Sequence, residues 1–183
     1  MKVRSVASFI VLQLGWFACV LGATNGHAWF GPAFVVATLA LHVRLQPPGA
    51  RAREAVVLAL TALFGFLVDT ALLRAGVLEL TGAELSPAWL VALWPNFAAA
   101  TAPGGSLGSL ARRPLLGALL GAVAAPLAYA GGVRFGALAL HHNRVAALIA
   151  IGVVWSAVLP ALFALRNVMM RSGSPRAEPG GAP

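Results

Sequence analysis

Charge is scarce in this chain. Asp, Glu, Lys and Arg together make up 10% of its 183 residues, against 60% apolar residues and a mean hydropathy of +0.85. A soluble domain carries about 25% charged and roughly 45–50% apolar residues. With so few charges a soluble fold could not cover its own surface, so lipid is the solvent this composition suits. Cysteine is scarcer still: Cys19 stands alone, which excludes an intrachain disulfide. It lies inside the first apolar block and reads as a small buried hydrophobe. Trp16 and Phe17 precede it, where a lipoprotein signal needs small residues. No strand-like alternation and no internal repeat is visible. Also missing are a zinc-protease His-Glu pair, a Gly-x-Ser-x-Gly elbow and a phosphate loop. His141-His142 has no acidic or sulfur partner nearby, so neither a metal nor any other cofactor is indicated.

What the chain does have is six apolar blocks. A helix needs roughly 17–25 apolar residues to cross about 30 Å of hydrocarbon. The expected spans are 5–24, 28–45, 55–77, 88–103, 114–132 and 145–165, forming one domain over residues 1–170 with a disordered tail at 171–183. The fourth is the least regular, with Pro95 inside it and Pro103-Gly104-Gly105 at its end. The first is too long for a secretory h-region of roughly 7–15 residues and reads as an uncleaved span. The fold class is therefore all-α, a polytopic transmembrane helical bundle of about six spans.

The net charge of +8 does not point to nucleic acid, because the basic residues are scattered between apolar blocks. It does set orientation. With the N-terminus inside, Lys2, Arg4, Arg44, Arg51, Arg53, Arg112, Arg113, Arg166, Arg171 and Arg176 fall on the cytoplasmic side. Only Arg74, Arg134 and Arg144 fall outside. That ten-to-three bias follows the positive-inside rule and places both termini in the cytoplasm.

Several strings occur in a recognisable order: Gln13-Leu-Gly-Trp-Phe17, Trp29-Phe-Gly-Pro32, Gly65-Phe-Leu-Val-Asp69 and Pro87-Ala-Trp-Leu-Val-Ala-Leu-Trp94. Gly121-Ala-Val-Ala-Ala-Pro-Leu-Ala-Tyr129 and Gly132-x-Arg-x-Gly136 follow. The chain resembles, from about Gln13 to Pro160, a family of small bacterial inner-membrane proteins, domain of unknown function 2878. It departs from that pattern at Ala125, where a glycine is expected before Pro126, and at Pro103-Gly104-Gly105. The resemblance implies a bacterial inner-membrane location, no established activity and a link to lipid metabolism through the fatty-acyl-modifying enzymes with which such proteins keep company.

Asp69 is the most informative residue. It lies about 21 Å along a helix counted from Ala55, in the outer half of the bilayer, where a carboxylate costs roughly 2.5–3.5 kcal/mol and faces the bundle interior with a partner. Arg74 is badly phased for that role. Arg134 and Tyr129 are the expected partners. Asn96 falls at a similar level, giving a candidate intramembrane polar cluster of Asp69, Asn96, Tyr129 and Arg134. Gln13 and Thr101 are further polar residues at depth. This set reads either as interhelical hydrogen bonding, worth about 0.6 kcal/mol a pair, or as a polar pocket. Trp29 and Trp89 read as headgroup-level anchors. Gly117, Gly121 and Ala125 share one face of the fifth span, a small-residue pattern that lets another helix approach closely.

With Asp69 the one acid within the blocks, a paired-carboxylate mechanism has no second member, and no catalytic residue is identified. The expectation is an accessory or binding protein whose partners are the lipid bilayer and a lipid or lipid-like ligand. Two alternatives stay open: a small transporter or channel, and an intramembrane lipid-modifying enzyme using Asp69 or Tyr129. A dead-end cavity opening sideways to lipid beside Asp69 would fit lipid recognition, and a continuous polar cavity across the midplane would fit transport.

Overall fold

The computed structural model describes residues 2–171; most of the expected 171–183 tail lies outside them. Six α-helices run in chain order: α1 Lys2–Thr24, α2 Phe30–Arg44, α3 Pro48–Arg74, α4 Ala88–Ala100, α5 Pro114–Arg134 and α6 Arg144–Arg171. The molecule is an all-α polytopic bundle. Helices α1, α3, α5 and α6 are long and apolar enough to cross a membrane, whereas α2 and α4 are shorter. At 1.5 Å per residue, the 13 residues of α4 span only about 20 Å. Large apolar side chains such as Leu63, Leu119, Leu127 and Val153 point outward, each more than half exposed. That arrangement suits lipid as the surrounding solvent.

Several boundaries differ from the sequence expectation, and three matter. Helix α6 runs on to Arg171 rather than to 165, which keeps Arg166 in the helix. Helix α3 begins at Pro48 rather than near Ala55. A proline at the first helical position loses no hydrogen bond and presets φ, so the charged run Arg51–Glu54 belongs to the helix and not to a loop. Helix α4 stops at Ala100 instead of 103. Pro103 disfavours helical geometry at the residue before it, Gly104 turns with φ +82°, and the chain folds back so that Leu107 N–H donates to the Ala100 carbonyl at 2.9 Å. A short 3-10 turn, Gly108–Arg112, then leads to Pro114 at the start of α5.

A small strand pairing, which the sequence showed no sign of, ties the far loops together: Leu78–Glu79 (β1) lies antiparallel to Ala139–Leu140 (β2). It is set up by two matching helix ends. After Arg74 and after Arg134 the chain passes through a glycine with positive φ, Gly76 and Gly136. Val77 N–H then bonds back to Leu72 O, and Ala137 N–H to Gly132 O, each at 2.9 Å, closing the last turn as a helix C-cap requires.

Helix α4 sits at the centre, packed against α1, α2 and α3, while α5 and α6 form an antiparallel hairpin joined to the rest through α3 and α6. Close approach is possible where side chains are absent. A Cβ on Gly31 would run into the Cys19 backbone of α1, and one on Gly121 would run into the Trp155 carbonyl of α6.

Candidate functional site

Helix α3 brings Asp69 inward, fully buried, five residues before its C-terminal Arg74. Both carboxylate oxygens are used. Tyr129 of α5 donates its hydroxyl to Oδ1 at 2.6 Å, and the Trp94 indole N–H of α4 donates to Oδ2 at 2.7 Å. Gly65, one helical turn before Asp69 on the same face, makes this possible: a Cβ there would lie inside the Trp94 ring. The indole therefore lies flat across α3 with its N–H at the carboxylate. Trp94 stacks on Trp155 of α6 (centroids 4.6 Å, planes 26° apart), and Phe97 meets Trp155 edge-on at 5.4 Å.

The expected four-residue cluster is thus corrected. Tyr129 reaches Asp69, but Arg134 does not: it is the exposed last residue of α5, and no ion pair to Asp69 exists among the described residues. At a helix end a long cationic side chain lowers its energy by reaching out to the interface. Asn96 stands two residues beyond Trp94, about 200° round the helix, and faces α1, where its Nδ2 donates to the Leu12 carbonyl at 3.0 Å. Trp94 is the partner that sequence reasoning missed. Trp89, expected at headgroup level, is buried in the core, while Trp29 is 68% exposed.

In front of the Trp94 and Tyr129 rings lies a cleft of about 310 Å³ between α1, α4 and α5. Phe9 and Trp16 of α1, Leu93 of α4, and Ala124 and Ala128 of α5 line it, with Trp155 at its back. No Asp, Glu, Lys, Arg or His side chain does so. At one end Trp16 packs against Phe17 and Phe135 (centroids 5.0 and 5.9 Å) and lies over Gly131, closing the gap between α1 and α5. Asp69 stands behind the ring wall and does not reach the cleft.

A second cavity, about 270 Å³, opens toward the other end of the bundle among α1, α2 and the turn after α4, with Arg4, Ser8, His42, Gln46 and Gly104 on its wall. The two cavities share only Leu12 and Asn96, the two residues joined by the Asn96 hydrogen bond.

Beside that second cavity is a polar centre that sequence reasoning also missed. Glu54, 1% exposed, is gripped by the Arg166 guanidinium: Nη1 donates to Oε2, and Nη2 to Oε1 at 3.0 Å. Arg166 also donates to the Ala98 carbonyl at 2.8 Å and the Thr101 hydroxyl at 3.1 Å, and His42 Nε2 lies 2.8 Å from Glu54 Oε1. Two signals pointed this way. Starting α3 at Pro48 puts Glu54 inside a helix. Arg166 continues the buried stripe of Trp155, Leu159 and Leu162 at spacings of three and four, so it belongs to a core-facing stripe as well as to the cytoplasmic tally.

A family model matches residues 5–161. The chain belongs to DUF2878, a family of proteins of unknown function. The DUF2878 match takes in the whole Asp69 centre and every wall of the cleft, and it ends before Arg166. Neither a curated protein nor a solved structure matches the chain. Gly117, Gly121 and Ala125, the expected packing face, are buried in this DUF2878 member: Gly117 lies toward Phe163 and Gly121 against Trp155 of α6, while Gly121 and Ala125 also line the cleft. Among its described residues no three potential metal ligands converge.

Proposed function

We propose that this protein is a multi-pass protein of the bacterial inner membrane that binds a lipid-like molecule in the cleft between α1 and α5. The observation that carries this reading is the cleft itself: mostly apolar, about 310 Å³, bordered by lipid-facing helices and backed by rings that Asp69 holds in place. Ligand sites are commonly apolar hollows of about 300–1,000 Å³ with a few placed polar groups. In this reading Asp69 is a positioning residue. With both oxygens engaged and no exposure it does not meet a molecule in the cleft, so the lipid-modifying alternative is left with Tyr129, whose hydroxyl already donates to Asp69. The bias of the basic residues supports a reading with both termini in the cytoplasm, and reporter fusions after Arg113 (inside) and His142 (outside) test that orientation.

Binding is tested by extracting the protein in mild detergent and measuring co-purified lipid by mass spectrometry. Ala124→Phe and Ala128→Phe fill the cleft from the open face of α5. Leu119→Phe, on the same helix but outside the cleft, is the control. Loss of a specific lipid in the two filled variants, with unchanged thermal stability, supports the reading; an equal lipid load in all of them removes it.

A second reading, passage of a molecule between the two cavities, rests on their meeting at the Asn96–Leu12 bond. It predicts that Asn96→Ala speeds equilibration of a fluorescent lipid between the leaflets of reconstituted vesicles.

A further inference from the structure

Helices α1 and α2 close on each other at one end and part at the other. Near their connecting turn Gly31 lies against the Cys19 backbone. At the opposite end the cavity of about 270 Å³ separates them, bordered by the turn that follows α4. That turn is tied to α1 by the Ser106 N–H, which donates to the Ser8 hydroxyl oxygen at 3.2 Å. The polar groups on this wall are accessible and hold unused donors. Arg4 is exposed, and its guanidinium has no hydrogen-bond or ion-pair partner among the described residues. Ser8 stands one turn further along the same face of α1, and its own proton has no acceptor among the described residues. The N–H of exposed Gly104 is likewise unused among them. Across the cavity the Gln46 amide donates to the His42 carbonyl at 3.2 Å and leaves its oxygen free. No Asp or Glu lines the cavity. One cation and two free donors without a carboxylate suit an anion, which accepts charge-assisted hydrogen bonds.

The rest of the wall is apolar. Val11, Leu12, Leu39 and Ala99 line its inner part, and exposed Leu41 and Leu45 stand at its rim. Along α1 the distance from Arg4 to Leu12 is about 12 Å, so the charged mouth leads into an apolar recess. The geometry points to a second lipid site, separate from the cleft: a glycerophospholipid of net negative charge. Its phosphate is held at Arg4, Ser8 and Gly104, a head-group hydroxyl meets the Gln46 amide oxygen, and one acyl chain runs inward along α1 toward Leu12. A zwitterionic head brings an ammonium group that finds no carboxylate on this wall. A free phosphate satisfies the mouth but leaves the apolar recess unfilled.

The test compares two heads on the same acyl chains. The whole protein, purified in mild detergent and stripped of lipid, is titrated with phosphatidylglycerol or phosphatidylethanolamine, and bound lipid is read by native mass spectrometry. Phosphatidylglycerol is expected to half-saturate at a concentration roughly tenfold below phosphatidylethanolamine, the scale of one hydrogen bond to a charged group. Arg4→Gln should abolish that preference. Arg44→Gln removes the same charge from the same end of the bundle, but from outside the cavity, and should leave the preference intact. Ala7→Phe fills the cavity from an exposed position on α1 and should lose the lipid with thermal stability unchanged. Equal affinity for both heads, or equal losses in Arg4→Gln and Arg44→Gln, means general charge attraction and overturns the inference. Displacement by glycerol 3-phosphate at a concentration near the lipid's own half-saturation makes a free anion the occupant, which also overturns it. If Ala124→Phe removes phosphatidylglycerol and Ala7→Phe does not, the lipid sits in the cleft: the reading above stands and this one falls.

Discussion

Helix α3 carries two buried acids, and the bundle satisfies them in opposite ways. Glu54 and Asp69 stand about 22 Å apart along the helix axis. Glu54 is held by a guanidinium fork and approached by His42, a partly exposed imidazole. Asp69 has no cationic partner among the described residues, only the ring donors of Trp94 and Tyr129. One centre is an ion pair beside a polar cavity, the other a carboxylate enclosed by aromatic rings beside an apolar cleft. The ion pair joins α3 to α6 and, through Ala98 and Thr101, to α4. Asp69 joins α3 to α4 and α5, but what it fixes is the orientation of two rings. The Glu54 centre should therefore dominate stability, and the Asp69 centre the shape of the cleft.

The largest effect expected is for Arg166→Met. Removing one partner of a buried pair leaves Glu54 with His42 alone, and such losses cost about 3–5 kcal/mol. Glu54→Gln combined with Arg166→Met removes both charges and should recover much of that cost. Unfolding by denaturing detergent, followed by the tryptophan signal, gives the values. A double variant as unstable as Arg166→Met alone would mean that charge is not what matters there.

Asp69→Leu comes next. It orphans two buried donors at roughly 1–3 kcal/mol each, partly offset because the desolvation cost of the buried charge goes too, so a loss of about 2–4 kcal/mol is expected. Asp69→Asn is intermediate and not neutral. Two donors converge on this side chain, and an amide offers one acceptor where the carboxylate offers two. If Asn matches the native protein in stability and in lipid co-purification, the second donor bond contributes nothing and Asp69 does not hold the cleft wall.

The contrast between these centres also shows what the sequence could and could not disclose. The class of fold follows from apolar blocks against scarce charge, and Asp69 stands out because an acid inside such a block has to be explained. Tyr129 was reachable by its depth on α5. Trp94 was not, since indoles are usually read as interface anchors. The clue was Gly65, a bare turn below the acid that admits a ring. Glu54 and Arg166 were hidden by two boundaries: a helix beginning at Ala55 turns the acid into loop charge, and a helix ending at 165 does the same to Arg166. The cleft was beyond reach, because it depends on α1 and α5 standing apart over α4, a tertiary fact that no local pattern encodes.

Gly65→Ala probes the aromatic centre without touching a polar atom. The new methyl would occupy the Trp94 ring position, and overpacking of this kind costs about 1–3 kcal/mol. The useful comparison is Gly117→Ala, whose methyl would meet Phe163 at an ordinary 3.7 Å and should change stability by less than about 1 kcal/mol. Near-ultraviolet circular dichroism should show the Trp94–Trp155 stack disturbed only in the first. Equal signals in both would place the Trp94 ring elsewhere.

The smallest effect falls on the outermost member of the ionic centre. His42 reaches Glu54 Oε1 at 2.8 Å, but that oxygen already accepts from Arg166 Nη2, and the imidazole side chain is 22% exposed. His42→Leu removes one redundant, partly hydrated hydrogen bond and leaves the guanidinium grip whole, so a loss of about 0.5–1.5 kcal/mol is expected. The same change made in an Arg166→Met background should cost more, because His42 is then the remaining side-chain hydrogen-bond partner of Glu54 among the described residues. A double-mutant cycle measures that coupling, and a nonzero value is the signature of two side chains sharing one buried acid. If the two losses simply add, His42 stands beside Glu54 without coupling to it, and the centre is a two-member pair.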